Sequence, residues 1–187
     1  MKFQPCIDAV VRRQNPIAMF LVVLGLIASL TAWPFASAQA GDAHDWITYD
    51  NPRFGFSVDY PRDLFNEPEH SQNGDGILLP GNDGLANLIT WGGHNSLELD
   101  PAGYADMASE RDGLIEVTYR RVSKRWMAIS GFQNGPSGRE IFYERTQFND
   151  DLTVMSSFAL SYPETKRATY DHLIGRISKS LTKPRSD

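Results

Sequence analysis

Beyond residue 50 the chain alternates. Phe54, Phe56, Val58 and Tyr60 fall on one side, while Gly55, Ser57 and Asp59 fall on the other. Period two is the spacing of a half-buried strand, because successive side chains on a strand point to opposite faces. The longest such run places Leu152, Val154, Ser156, Phe158, Leu160 and Tyr162 against Thr153, Met155, Ser157, Ala159 and Ser161. Ile115, Val117 and Tyr119 alternate with Glu116, Thr118 and Arg120 in the same way. Further strands are expected at 46–49, 77–79, 86–91, 126–132 and 139–148. Turn chemistry separates them: Asp50-Asn51-Pro52-Arg53, Asn73-Gly74-Asp75-Gly76, Pro80 to Gly84, Asn134 to Gly138 and Asn149-Asp150-Asp151. The short later loops imply hairpins and antiparallel pairing.

Two segments change period. Asp100-Pro101 is a helix cap followed by a first-turn proline, and Tyr104, Met107 and Ala108 then share a face that Gly113 ends. After Pro163, Tyr170, Leu173, Ile174, Ile177 and Leu181 form an i, i+3, i+4, i+7, i+11 stripe, and Pro184 forbids continuation. A sheet must bury its apolar face against another layer. The expectation is an α+β domain: an antiparallel sheet of about six to eight strands covered by two helices, its core spanning residues 46–181. Residues 41–45 and 182–187 read as polar tails.

The beginning of the 187-residue chain is different. Lys2, Arg12 and Arg13 precede an apolar run from Ile17 to Leu30, and Pro34 then leads into Ala36-Ser37-Ala38-Gln39-Ala40. A positive segment, an apolar core and an Ala-x-Ala end are the parts of a secretory signal. Ala38 and Ala40 suit a cut before Gly41; Ala36 and Ala38 suit one after Ala38. Residues 1–40 are therefore expected to be removed, leaving a single domain, 41–187, in the periplasm or outside the cell. The competing reading keeps residues 1–40 as a membrane anchor, for which the apolar run is short of the roughly 20 residues that span a bilayer.

Cleavage changes the charge. It removes three of 18 basic and one of 23 acidic residues, so −5 for the chain becomes −7 for the domain. Such a domain repels phosphate backbones, and no nucleic-acid partner is expected. The single cysteine, Cys6, leaves with the signal, so the domain must fold without a disulfide. About 147 residues bury enough apolar surface for that.

The opening YDNPRFGFSVDYPRDLF (Tyr49 to Phe65) resembles the first hairpin of PsbP-like domains, where an aromatic-Gly-aromatic strand runs into a Tyr-Pro turn. NGDGILLPGNDGLANLITWG (Asn73 to Gly92), RWMAISGFQNGPSGREIFYER and the closing amphipathic helix continue the likeness, in the manner of small exported bacterial proteins. The resemblance implies a PsbP-like fold and a binding or accessory role without chemistry of its own. PsbP-type proteins assist a photosystem, and nuclear-import relatives of the fold bind a small GTPase. Neither role suits an exported protein with no photosynthetic context.

The residues themselves offer little chemistry. His44, His70, His94 and His172 fall in no H-x-x-x-H or H-E-x-x-H pattern, and no metal or cofactor is expected. Asn73 to Gly76 and Asn82 to Gly84 have too few carboxylates for a calcium loop and read as turns. Ser130 and Ser137 stand near glycines but complete no G-x-S-x-G elbow. Glu140 and Glu144, an even number apart on one strand, share a face, read here as the solvated one. Trp46, Trp91, Trp126, Tyr143 and Phe148 line either a groove or the core.

One irregularity remains. Arg120, Arg121, Lys124 and Arg125 place four cations within six residues of an acidic domain. They form either an anion- or partner-binding patch, or a solvated hairpin edge whose charges deter strand pairing. The leading expectation is an exported, non-enzymatic accessory or binding protein whose partner is another protein or an envelope component. The alternatives are an envelope hydrolase acting on a glycan or ester through a carboxylate or serine site assembled from distant strands, and an accessory protein tethered by uncleaved residues 1–40.

Overall fold

The computed structural model describes residues 44–136 and 138–186; the signal segment, with Ala38, Ala40 and Gly41, and Ser137 lie outside the described residues. The first alternating run forms a hairpin of β1 (Trp46–Asn51) and β2 (Phe56–Pro61). Its turn rests on Asn51, whose side-chain oxygen accepts from the Phe54 amide at 2.8 Å. The Asn51 side-chain amide donates to the carbonyls of Gly74 and Asp75 at 3.0 and 2.9 Å, fastening the hairpin to the turn before the fourth strand.

The remaining strands form a seven-stranded antiparallel sheet. In chain order they are β3 (Glu69–His70), β4 (Gly76–Pro80), β5 (Asn87–His94), β6 (Leu114–Val122), β7 (Trp126–Gly135), β8 (Gly138–Phe148) and β9 (Val154–Pro163). Their spatial order is β3-β4-β5-β9-β8-β7-β6. The sheet thus meets the expected strand number, while the first hairpin stands apart as a two-stranded ribbon. Helix α1 (Pro101–Ser109) links β5 to the far edge strand β6; Asp100 caps it by accepting from the Gly103 amide at 2.8 Å.

Both sheet faces are used. On the first, Leu88, Ile141, Phe158, Leu160 and Tyr162 meet Phe54, Phe56, Val58 and Tyr60 of the ribbon and Tyr170, Leu173, Ile177 and Leu181 of the closing segment. On the second, Met127, Ile129, Phe142 and Phe148 meet Tyr104, Ala105 and Ala108 of α1. The closing segment keeps its buried stripe but is not one helix. A 3₁₀ turn (Glu164–Lys166), α2 (Arg167–Tyr170), a second 3₁₀ turn (Asp171–Leu173) and α3 (Ile174–Ser180) follow one another. These tightened turns let Tyr170 stack on Tyr162 at 5.2 Å while the Tyr162 hydroxyl donates to Asp171 at 2.5 Å.

Four other expectations are corrected. Leu152 is not in β9; it sits in the preceding turn with φ of 63°, and the strand begins at Val154. Met107 is exposed, because Tyr104, Ala105 and Ala108 take the buried face of α1, which ends at Ser109 before Gly113. The flanking tails are tied down where they are described. His44 bonds Asp63 at 2.7 Å and His172 at 3.2 Å, and the amides of Thr182 and Arg185 donate to the carbonyls of Ser57 and Phe54.

The fourth correction concerns β6. Ile115 and Tyr119 are 48% and 43% exposed, and the partly buried residues are Leu114, Val117 and Val122. Two register shifts against β7, between Leu114 and Glu116 and between Val117 and Tyr119, insert an extra residue each. Every inserted residue reverses which side chains face inward, so the apolar alternation in the sequence does not survive pairing.

Candidate functional site

The cationic run lies at the β6–β7 hairpin, on an edge of the sheet. Among the described residues β6 has a strand neighbour, β7, on one side only. The structure divides the four cations. Arg120 pairs opposite Ile129 and so faces the second side of the sheet, where its guanidinium donates to Asp106 of α1 at 2.7 Å. Arg125 pairs with Asp150 at 2.5 Å, and Lys183 joins the same carboxylate at 2.9 Å. That double contact, with the Lys183 hydrogen bond first, holds Asp150 below the usual carboxylate range.

Arg121 and Lys124 make no ion pair among the described residues. Arg121 lies with its guanidinium 5.6 Å from the centroid of the Trp126 ring. It pairs opposite Ala128, on the same side as Tyr119, which pairs opposite Ser130. Exposed Tyr119 and Arg121 therefore share one side of the edge, with bulged Ile115 along the strand and Lys124 in the turn. The four cations do not converge on a point; two hold the fold together and two remain on the edge.

A second arrangement was not foreseen from the sequence. Glu140 and Glu144 are 3% and 2% exposed, so the expectation that they lie on a solvated face is wrong. Both point to the second face of the sheet. Phe142 and Phe148 also lie on this side of β8, and Ile141 and Tyr143 lie on the other. A strand with apolar residues on both faces is buried on both. That was the signal for burial, and it outweighs the polarity of two glutamates.

Glu144 forms an ion pair with Arg111, whose guanidinium lies 5.2 Å from the Phe142 ring centroid. The pair lines an open groove of about 480 Å³ together with Ile89, Trp91, Phe142 and Ala159. Burial is the strongest influence on Glu144 and lifts its pKa above the ordinary 4.5, with Arg111 opposing. Burial likewise pushes the Tyr104 hydroxyl up to about 12, and the Glu144 charge adds to it. A raised carboxyl in a groove is a motif of acid catalysis. However, Glu140 is four residues along the same strand, roughly 13 Å away at the strand rise. Glycoside cleavage needs two carboxyls about 5–9.5 Å apart.

Ser130 lies on β7 and its hydroxyl donates to the Phe142 carbonyl at 2.7 Å, a bond within the sheet. Among the described residues no cluster of three or more His, Cys, Asp and Glu is disposed to hold a metal ion, and no helix is long and apolar enough to cross a membrane.

No protein-family model matches the chain, and no curated protein matches it. Solved structures do. The solution structure of cyanobacterial PsbP (CyanoP) from Synechocystis sp. PCC 6803 is 13% identical with a TM-score of 0.55; the match covers 80% of this chain and 99% of that one. The Saccharomyces cerevisiae Ran-binding protein Mog1p is 9% identical with a TM-score of 0.51, covering 74% of this chain and 95% of that one. A point mutant of Mog1 matches with the same figures. At such identities the likeness is one of fold: the chain has a PsbP-like α+β fold.

Proposed function

We propose that this protein is an exported, non-enzymatic accessory domain of the cell envelope that holds another protein through its β6 edge. The observation that carries the reading is the composition of that edge. Ile115 and Tyr119 are close to half exposed, and Arg121 and Lys124 stand beside them without an acidic partner among the described residues. Exposed apolar and aromatic residues next to uncommitted cations are the makings of an interface. On a domain of net charge −7 such an edge favours an acidic segment of the partner. The two bulges twist β6 away from indiscriminate strand pairing, so recognition runs through side chains rather than through sheet extension. Mog1p, which shares the fold, is a Ran-binding protein, and partner binding is the same kind of role.

A hydrolase is the second reading, favoured by the raised Glu144 in its groove. It ranks lower because Arg111 already neutralises that carboxylate and Glu140 is too distant to act with it. Export is a separate claim: the secreted protein should have the mass of a chain starting at Gly41 or Gln39, and a mass starting at Met1 would replace cleavage with tethering.

The deciding experiment is crosslinking of the tagged chain in intact cells, followed by identification of what it holds. A discrete protein should be recovered with the wild type. Recovery should fall at least about tenfold when Arg121→Glu and Lys124→Glu are combined. Undiminished recovery in that double variant would remove the β6 edge from the proposal. Absence of any partner, together with turnover of a glycan or ester panel, would overturn the binding role.

A further inference from the structure

The turn of the β1–β2 hairpin, the end of β5 and the C-terminal stretch enclose a separate pocket of about 410 Å³. Arg53, Phe54, His94, Val154, Arg185 and Ser186 line it. Among the described residues that line it three are basic and none is acidic, while Asp75 pairs with Arg53 from behind the wall.

The walls are held in place by specific contacts. Phe54 is 6% exposed and forms a floor. The Arg53 guanidinium lies 5.1 Å from its ring centroid, and the His94 ring meets its edge at 5.5 Å. Gly92 makes room for that floor, since a Cβ there would come within 2.6 Å of the Phe54 ring. Arg185 crosses Gly55, where a Cβ would lie 2.2 Å from the guanidine Nε; Gly55 also has φ of 63°, which favours glycine. A bulkier residue at either position would displace a wall of the pocket.

Each arginine is anchored at one corner of its fork. Arg53 uses Nη1, donating to the Asn73 carbonyl at 2.6 Å and to Asp75 at 2.5 Å. Arg185 uses Nη2, donating to the Pro52 carbonyl at 2.7 Å. Arg53 keeps Nε and Nη2, which form a side-on fork, and Arg185 keeps Nε and Nη1 on opposite edges of its guanidinium, giving one fork and separate further donors around one cavity. Anchoring also lowers the rotamer entropy lost when a ligand is bound.

We propose that this pocket binds the phosphate group of a small phosphomonoester. A carboxylate is satisfied by a single guanidinium fork. The Arg53 fork together with separate donors from Arg185 suits a group with three terminal oxygens and a charge near −2, and that group is a phosphate monoester. The volume falls within the roughly 300–1,000 Å³ of small-ligand sites, leaving space beyond the phosphate for a compact alcohol portion.

The test is calorimetric titration of the full chain at constant ionic strength with inorganic phosphate, phenyl phosphate and acetate. Both phosphates should bind saturably, and acetate at least about tenfold more weakly. Arg53→Gln and Arg185→Gln should each weaken phosphate binding about tenfold with little change in Tm, because both side chains lie at the surface. Gly92→Ala, which disturbs the floor without removing a charge, should weaken it as well. The assignment is overturned if no saturable phosphate binding occurs, if acetate binds as tightly as phosphate, or if the Arg53→Gln/Arg185→Gln double variant binds phosphate as the wild type does.

Discussion

The two faces of the seven-stranded sheet are closed to different degrees. Across the first face lie a β-ribbon and the whole C-terminal helical segment, and its core holds Phe158, Leu160, Tyr162, Tyr170, Leu173 and Ile177 at 1% exposure or less. Among the described residues a single nine-residue helix crosses the second face and covers only part of it. Beyond α1 the surface opens into the groove where Ile89 is 41% exposed and Glu144 is buried beside Arg111. The difference teaches where this domain has room to vary. Continuous apolar packing fixes the first face, whereas the second tolerates a buried carboxyl because one cation and an open rim compensate it.

The largest effect should come from the closed face. Phe158→Ala removes a fully buried ring there and should cost about 3–5 kcal/mol in urea unfolding. Ile89→Ala, on the open face, should change stability by less than about 0.5 kcal/mol. Equal losses from the two would break the contrast.

An intermediate effect should come from the buried pair. Arg111→Ala leaves Glu144 without its cation and should cost about 1–3 kcal/mol, toward the lower end because the Arg111 side chain is 38% exposed. The pair also sets a pH dependence. The folded-state pKa of Glu144 is raised, so the folded protein holds this proton more tightly than the unfolded chain does. The resulting stability is fully present below the ordinary value of 4.5 and is lost as pH rises through the folded value. Thermal unfolding between pH 4 and 8 should therefore show a smaller fall for Glu144→Gln than for the wild type. Parallel curves would mean that Glu144 titrates as an ordinary carboxylate.

The smallest effect concerns how α1 is held over the second face. Asp100→Ala removes the cap on the Gly103 amide and should cost about 1 kcal/mol in the same unfolding assay. A loss several times larger would show that the second face depends on α1 as heavily as the first depends on its ribbon and helices.

Much of this architecture is legible along the chain. The alternation from Phe54 to Tyr60 gave β2, which begins at Phe56 with Phe54 in the turn before it, and all four apolar residues are 6% exposed or less. The stripe from Tyr170 to Leu181 gave the closing segment, and the Asp100-Pro101 pair gave the start of α1. The candidate sites were less legible. Arg120, Arg121, Lys124 and Arg125 look alike in sequence, yet only pairing across the fold reveals that Asp106 and Asp150 take up the first and the last. Glu140 and Glu144 look like solvated residues because their charge outweighs the apolar residues around them in any count of hydrophobicity. Arg53 and Arg185 stand 132 positions apart, and no local pattern joins them.

The sequence by itself determined the α+β class, the antiparallel strands, the amphipathic closing segment and the absence of a disulfide from the domain, because each follows from local periodicity, turn chemistry or composition. Only the tertiary structure decided that the first hairpin leaves the main sheet to cover one face of it. It also decided that bulges in β6 turn Ile115 and Tyr119 outward, that Glu144 is buried against Arg111, and that two arginines from opposite ends of the domain share a pocket. The reason is the range of the interactions. Propensity and alternation act over a few residues, whereas face, burial and charge pairing are settled by partners far away in the chain.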